Sequence, residues 1–272
     1  MDIYERITKL KQQGLAGMLV TVVKKNGEGP LNVGKKILVT EGGDTFGTVG
    51  GGAIEYEAIK HARSLIKDGK NDLVKYVLSE GAVIEDGTVL PMACGGDASL
   101  FFEYIGMKGY VYIFGGGHVG QALAKVLGTM QYHLTVIDYR EEVIKDFVGA
   151  DRSCHQSFTS FIEEEGIREG SYVIVCTPSH KYDYGVMDQV FDKGLKPRYI
   201  GMLCSQTKLK DYLKKTYDKF GDAIDLSNFY SPIGLDTGGG SPAEIAISIA
   251  AEMLAVSYDK EGHKHMRNRN NK

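Results

Sequence analysis

VYIFGGGHVGQALAKVL, residues 111–127, decides the fold of its half of the chain. An apolar strand runs straight into G-x-G-x-x-G, with the glycines at Gly115, Gly117 and Gly120, and an apolar-periodic helix follows. In such a turn Gly115 allows the tight bend, Gly117 lets the backbone approach a pyrophosphate, and Gly120 lets helix and strand pack closely. The free N–H groups and positive dipole end of the helix then face the anion. The next strand, LTVI, leads to Asp138, placed where a ribose-binding carboxylate belongs. Arg140 stands close enough to leave NAD and NADP both open. Residues 110–220 therefore read as a Rossmann-type unit; the competing reading keeps that fold without its nucleotide, because fold does not fix function.

Outward from this unit, strand and helix patterns alternate: strand 110–114, helix 118–130, strand 134–138, helix 141–148, a short strand near Ser153, helix 158–165, strand 172–176, helix 183–193, strand 198–203 and helix 207–220. Alternation of this kind implies right-handed crossovers and a parallel sheet with helices on both faces. After the loop SPIGLDTGGGSP comes an apolar helix, 243–257. Before residue 108 the texture differs. An amphipathic helix carries Ile3, Tyr4, Ile7 and Leu10 and stops at Gly14, and strands MLVTVV, 37–40 and 45–49 follow, the last two joined at Gly42-Gly43. Gly50-Gly51-Gly52 leads into helix 53–67, and strands 73–78 and 99–104 flank a loop carrying Cys94-Gly95-Gly96. The chain is thus read as α/β, with an N-terminal α+β domain (1–107) of mainly antiparallel strands, a Rossmann-type parallel-sheet domain (108–257) and a flexible tail (258–272).

Four places could carry chemistry. The glycine loop is the first; His118 within it reads as a local backbone partner. VCTPSHKYDYG is the second. It stands at the C-terminal end of a parallel strand, where open α/β sheets bind ligands, so His180 and Asp183 face the cleft. Either His180 is an acid/base or metal ligand oriented by Asp183, or it is a loop histidine with Asp183 capping the next helix. Third, Gly50-Gly51-Gly52 and Gly238-Gly239-Gly240-Ser241-Pro242 also feed helix starts. Each is either a phosphate site or a tight turn, but three such turns in one chain suggest a large anionic ligand shared between domains. Glu55 and Glu57 read as complements to their helix dipole. Fourth, Cys94 beside two glycines suits a reactive thiol, whereas Cys176 reads as buried, Cys204 as pointing to the ligand edge, and Cys154 has no assignment.

Net charge is −3 with both signs interspersed, which gives no support to a nucleic-acid partner. The basic end, residues 260–272, reads as a frayed terminus. The start lacks the apolar core of a signal peptide, and the apolar run 245–256 is broken by Glu252 and too short to span a bilayer. Four cysteines without a CxxC pair suggest reduced thiols, so a cytoplasmic location and no membrane partner are expected.

GTVGGGAIE, CGG, FGGGHVG, TPSHKYD, YIGML-CSQTK and SPIGLDTGGGSPAEIAISIAAEML, in this order, resemble the XdhC/CoxI family, the xanthine dehydrogenase accessory factors. The resemblance covers residues from about 10 to 257 and implies a CoxI-like domain before the Rossmann domain, in a homodimer. It implies a role in maturing molybdenum hydroxylases: binding the molybdenum cofactor (molybdopterin), supporting its sulfuration and handing it to the apo-enzyme. The implied partners are a xanthine dehydrogenase-like apo-enzyme and a sulfur donor such as a cysteine desulfurase. Family motifs map onto Cys94 with Gly95 and Gly96, onto Gly115 to Gly120, and onto His180 with Asp183. The chain departs from the pattern at Ala53, where many members have cysteine, and in the segment after YIGM, where only Lys208 remains of a basic stretch. The expectation is a cofactor-handling accessory protein without turnover. An NAD(P)-dependent oxidoreductase and a nucleotide-sensing module are the competing readings.

Overall fold

The computed structural model describes residues 2–27, 31–78, 88–90, 95–221 and 224–260. Its contacts divide the chain into Met1–Met107 and Lys108–Lys272.

In the first unit, α1 (Ile3–Gln12) precedes β1 (Gly17–Asn26), β2 (Lys36–Thr40) and β3 (Thr45–Gly47). Then come α2 (Gly52–Asp68), β4 (Asp72–Leu78), β5 (Thr88–Leu90) and β6 (Asp97–Ile105). The sheet order is β3-β2-β1-β6-β4-β5, antiparallel except between β4 and β5. Alternation along β1 puts Met18, Val20 and Val22 on the face that packs with Ile54, Ala58 and Ala62 of α2. Asp2 and Glu5 close a capping box at α1, and Gly69, in the left-handed region, ends α2.

The second unit runs β7 (Gly109–Phe114), α3 (His118–Leu127), β8 (Tyr132–Asp138), α4 (Glu141–Lys145), β9 (Arg152–His155) and α5 (Phe158–Glu164). It continues through β10 (Tyr172–Val175), α6 (His180–Asp192), β11 (Tyr199–Met202), α7 (Gln206–Phe220), β12 (Phe229–Tyr230) and α8 (Pro242–Ser257). All pairings are parallel, in the order β12-β11-β10-β7-β8-β9. One face buries Val111, Ile113, Leu134 and Val136 with α3 and α8; the other buries Phe114, Ile137, Val173 and Val175 with α5, α6 and α7. The order reverses between β7 and β10, which opens a crevice beyond their C-terminal ends.

Several boundaries differ from the sequence reading. α3 stops at Leu127 and gives way to a 3₁₀ turn, Gly128–Met130, and α4 is a single short turn. α6 starts at His180, capped by Ser179, so Asp183 is not the cap. β5 and β12 fall in stretches read as loops; at three and two residues they are too short to show a period of two. Residues 258–260, expected in the tail, form a turn that closes the end of α8: the Lys260 N–H donates to the Ala255 carbonyl (2.8 Å) and Asp259 pairs with Arg198 (3.0 Å). The rest of that expected tail, 261–272, lies outside the described residues.

Candidate functional site

The three glycine-rich helix starts are not equivalent. At α2 the Glu55 carboxylate turns back on its own turn and accepts from the Val49 N–H (3.0 Å), the Gly51 N–H (3.1 Å) and the Thr48 hydroxyl. Burial pushes the Glu55 carboxyl up, but these donors outweigh it and hold it below its usual value. At α8 the Glu244 carboxylate accepts from the N–H groups of Gly240 (3.2 Å) and Ser241 (2.9 Å) and from the Ser241 hydroxyl (2.6 Å). Both turns already hold an anion, supplied by the chain. Of the two alternatives for these turns, the tight turn without an external ligand is the one this favours, and Glu55 does more than complement its helix dipole. The pattern Ser241-x-x-Glu244 signalled this at α8.

At α3 nothing plays that part. Its cap, Gly117, has no side chain, and its first turn carries no acid. The N–H groups of Gly117, His118, Val119 and Gly120 have no acceptor among the described residues. Gly115, at φ +117°, lies so close to β10 that a Cβ would stand 2.3 Å from the Cys176 carbonyl oxygen. A Cβ on Gly120 would stand 2.1 Å from the Gly115 oxygen, while one on Gly117 would meet only the Arg140 guanidinium, at 4.0 Å. Two glycines therefore serve packing, and the third leaves space for a ligand. His118 is exposed, and its ring forms no hydrogen bond among the described residues, so it is not the backbone partner expected.

Asp138 is where the sequence placed it, at the end of β8, but its carboxylate is fully used. It accepts from the N–H of Gly116 (2.9 Å) and from the backbone N–H (3.0 Å), Nε (2.9 Å) and Nη2 (2.7 Å) of Arg140. Burial pushes its carboxyl up, but Arg140 and Gly116 hold it below the ordinary range. Asp138 thus braces the glycine loop and aims Arg140 rather than offering oxygens to a ribose.

Across the crevice, Asp183 is buried in the first turn of α6 and accepts from Thr177, from its N–H (3.2 Å) and hydroxyl (2.6 Å). No hydrogen bond joins it to His180, whose exposed ring packs edge-on to Tyr184 at 5.8 Å. The alternative in which Asp183 orients His180 is therefore not what the structure has; Asp183 pairs with Thr177, a residue the sequence reading did not single out. Lys208 is exposed in the first turn of α7, where its charge, like that of His180, opposes the upward push of burial on Asp183. The Cys176 thiol donates to the Gly115 carbonyl (3.3 Å), and burial pushes it up to about 12. Burial also raises Cys204, which pairs with the Ser231 hydroxyl (3.1 Å), and Cys154. Cys94 lies outside the described residues; Gly95 and Gly96 precede β6, and a Cβ on Gly96 would stand 2.2 Å from the Asn26 oxygen. Gly50 and Gly52 complete the turn that Glu55 fills.

Burial takes the Asp183 carboxyl to about 6 despite the Thr177 bonds. A raised folded value favours the protonated form, so the associated stability is full below the unfolded value of ~4 and is lost as pH rises through about 6. Asp183→Asn keeps an acceptor for Thr177 and cannot ionise. Relative to wild type it should gain up to about 3 kcal/mol between pH ~4 and ~7, read from urea midpoints. Parallel pH profiles for the two proteins would contradict this.

Among the described residues no helix is long and apolar enough to cross a membrane. Similar proteins include one from Escherichia coli K12 described as uncharacterized protein YqeB, 27% identical over 96% of this chain and 47% of its own length. Another, from Bacillus subtilis and described as a probable xanthine dehydrogenase subunit, is 27% identical over 57% of this chain and 45% of its own. The chain thus spans about half the length of these relatives. A crystal structure described as a xanthine dehydrogenase from Bacillus halodurans shares the fold, at 18% identity and a TM-score of 0.52 over 96% of this chain and 97% of that one. Residues 10–77 match the family model for XdhC and CoxI, residues 111–253 match that for the XdhC Rossmann domain, and the chain belongs to this family.

Proposed function

We propose that the protein is an accessory factor for a xanthine dehydrogenase-like molybdenum hydroxylase, acting as a homodimer in the cytoplasm. It binds the molybdenum cofactor and assists its sulfuration or its insertion into the apo-enzyme. Family membership carries this reading, and the description of the Bacillus subtilis relative supports the client class.

The open start of α3 fits a cofactor that ends in a phosphate. The N–H groups of Gly117, His118 and Val119 would hold that phosphate, with the Arg140 guanidinium beside them. When bound, the cofactor supplies a pterin dithiolene that carries its own molybdenum. Asp183 and Thr177 stand beyond the end of the neighbouring strand β10, with Lys208 at the start of α7, and a carboxyl pushed up to about 6 can hold or release a proton there. Native mass spectrometry of protein from a molybdenum-replete host tests the reading. A bound pterin and complex formation with an apo-hydroxylase are expected, and NAD(P)H turnover without either would overturn it.

That outcome would favour the second reading, an NAD(P)-dependent oxidoreductase acting on a small molecule. The strand order and glycine loop suit it. The saturated Asp138 carboxylate weighs against it, because the ribose loses its expected acceptor.

Cys94 is the thiol proposed to serve sulfuration. The three described cysteines are all held as thiols above their usual range, which leaves them poor sulfur carriers at neutral pH. Cys94→Ser should fold normally and activate a client hydroxylase at least ~10-fold less well than wild type, a loss typical of removing one essential group. Full activation by Cys94→Ser together with loss in Cys204→Ser would move the thiol to the Rossmann domain.

A further inference from the structure

Three aromatic residues stand at the C-terminal edge of the parallel sheet. Tyr139 follows β8, Phe158 opens α5 just after β9, and Tyr182 lies in the first turn of α6. Their ring centroids are 5.7 Å (Tyr139–Phe158), 5.1 Å (Tyr139–Tyr182) and 5.7 Å (Phe158–Tyr182) apart. With Ser157, Lys181 and Gly185 among its other walls, the trio lines a cavity of about 410 Å³. Phe158 is buried against Phe114, but Tyr139 and Tyr182 remain 37% and 40% exposed, so their rings face the cavity rather than a packed core.

Arg140 stands between the rim of this cavity and the start of α3. The Arg140 guanidinium lies 5.7 Å from the Tyr139 ring centroid and 4.0 Å from the position of a Cβ on Gly117. One surface thus offers, in order, unpaired helix N–H groups, a pinned cation and a wedge of aromatic faces. Helix N–H groups and a guanidinium suit a phosphate, and aromatic faces suit a flat ring.

The geometry points to a slot, formed by Tyr139, Phe158 and Tyr182, for the planar heteroaromatic ring of a ligand whose phosphate sits at α3. This rests on the reading of α3 as an anion site and adds the class of molecule: a phosphorylated compound with a flat nitrogen heterocycle. A nucleotide and a pterin phosphate share that chemistry.

Calorimetric titration of the full chain with inorganic pyrophosphate, ADP and a phosphorylated pterin tests it. Wild type should bind at least one ringed ligand about 10-fold more tightly than pyrophosphate, since stacking on an aromatic side chain is worth at least about fivefold. The chain has no tryptophan, so its emission comes from 16 tyrosines, and the share of ligand quenching lost in Tyr139→Ala and Tyr182→Ala reports the stacking. Tyr139→Ala and Tyr182→Ala should each remove about fivefold or more of the ring's advantage and leave pyrophosphate binding unchanged, while Tyr182→Phe retains it. Tyr182→Leu, which keeps apolar bulk without a ring face, serves if the alanine variant does not fold. The preferred ring, ADP or pterin, identifies the source. A ringed ligand bound no better than pyrophosphate, or unaffected by the ring deletions, would overturn the slot and leave the anion site standing. Absence of binding by all three ligands would overturn both.

Discussion

Gly117→Val is expected to fold and to bind phosphorylated ligands at least ~10-fold more weakly, whereas Gly120→Ala is expected to lose about 3 kcal/mol of stability. The two glycines are three residues apart in one turn, so the contrast separates binding from packing. Gly117 adopts φ −68°, which a branched residue tolerates, and its side-chain direction is open. Valine there obstructs only a ligand approaching the N–H groups. A Cβ at Gly120 instead meets a backbone oxygen at 2.1 Å, and that oxygen belongs to Gly115, itself wedged against β10. Neither can yield without opening the turn. Pyrophosphate titration and thermal melts of both variants check the pair. Wild-type affinity in a folded Gly117→Val protein would remove the anion assignment from α3, and a Gly120→Ala protein within about 1 kcal/mol of wild type would contradict the packing argument.

The second large effect is expected at Asp138. Its side chain is wholly buried and holds four donors from Gly116 and Arg140. Asp138→Ala leaves a largely covered guanidinium and the Gly116 N–H without their acceptor. Breaking a pair of this kind by removing one partner costs about 3 kcal/mol or more. Urea denaturation near neutral pH measures it. Because the folded value of this carboxyl is lowered, its contribution is present above the unfolded value of ~4 and fades as pH falls through the folded value. A loss under about 1 kcal/mol, or one that persists unchanged in acid, would show that Arg140 and Gly116 find other partners.

The α/β order of the second unit was legible because each strand and helix carries its own period and the glycine loop punctuates the first crossover. The parallel sheet follows from alternation alone, and the structure has it. β5 and β12 were illegible because their pairing is supplied by β4 and β11, not by any pattern within two or three residues. The site was less readable. Asp138 was placed correctly, but its saturation depends on how Arg140 folds back two residues on. Asp183 was read as a cap or an orienter, yet its partner is Thr177, brought to it by the turn into α6. The rings of Tyr139, Phe158 and Tyr182 lie far apart along the chain, and only the parallel sheet gathers them. Each follows the end of a strand, a signal that becomes visible once the strand order is known.

The filled turns also bear on how the open one is governed. α2 and α3 both begin at a glycine cap, Gly51 and Gly117, and they differ four residues further on, where α2 carries Glu55 and α3 carries Gln121. A carboxylate tethered by its own helix meets its turn at an effective concentration in the millimolar range or above. Free phosphate at lower concentration cannot displace it while Glu55 is ionised, so the turn at α2 stays occupied by its own helix. Neutral Gln121 supplies no such tethered competitor. On the proposed reading of α3, a phosphorylated ligand meets no competitor from that helix, and Gln121→Glu should weaken pyrophosphate binding there.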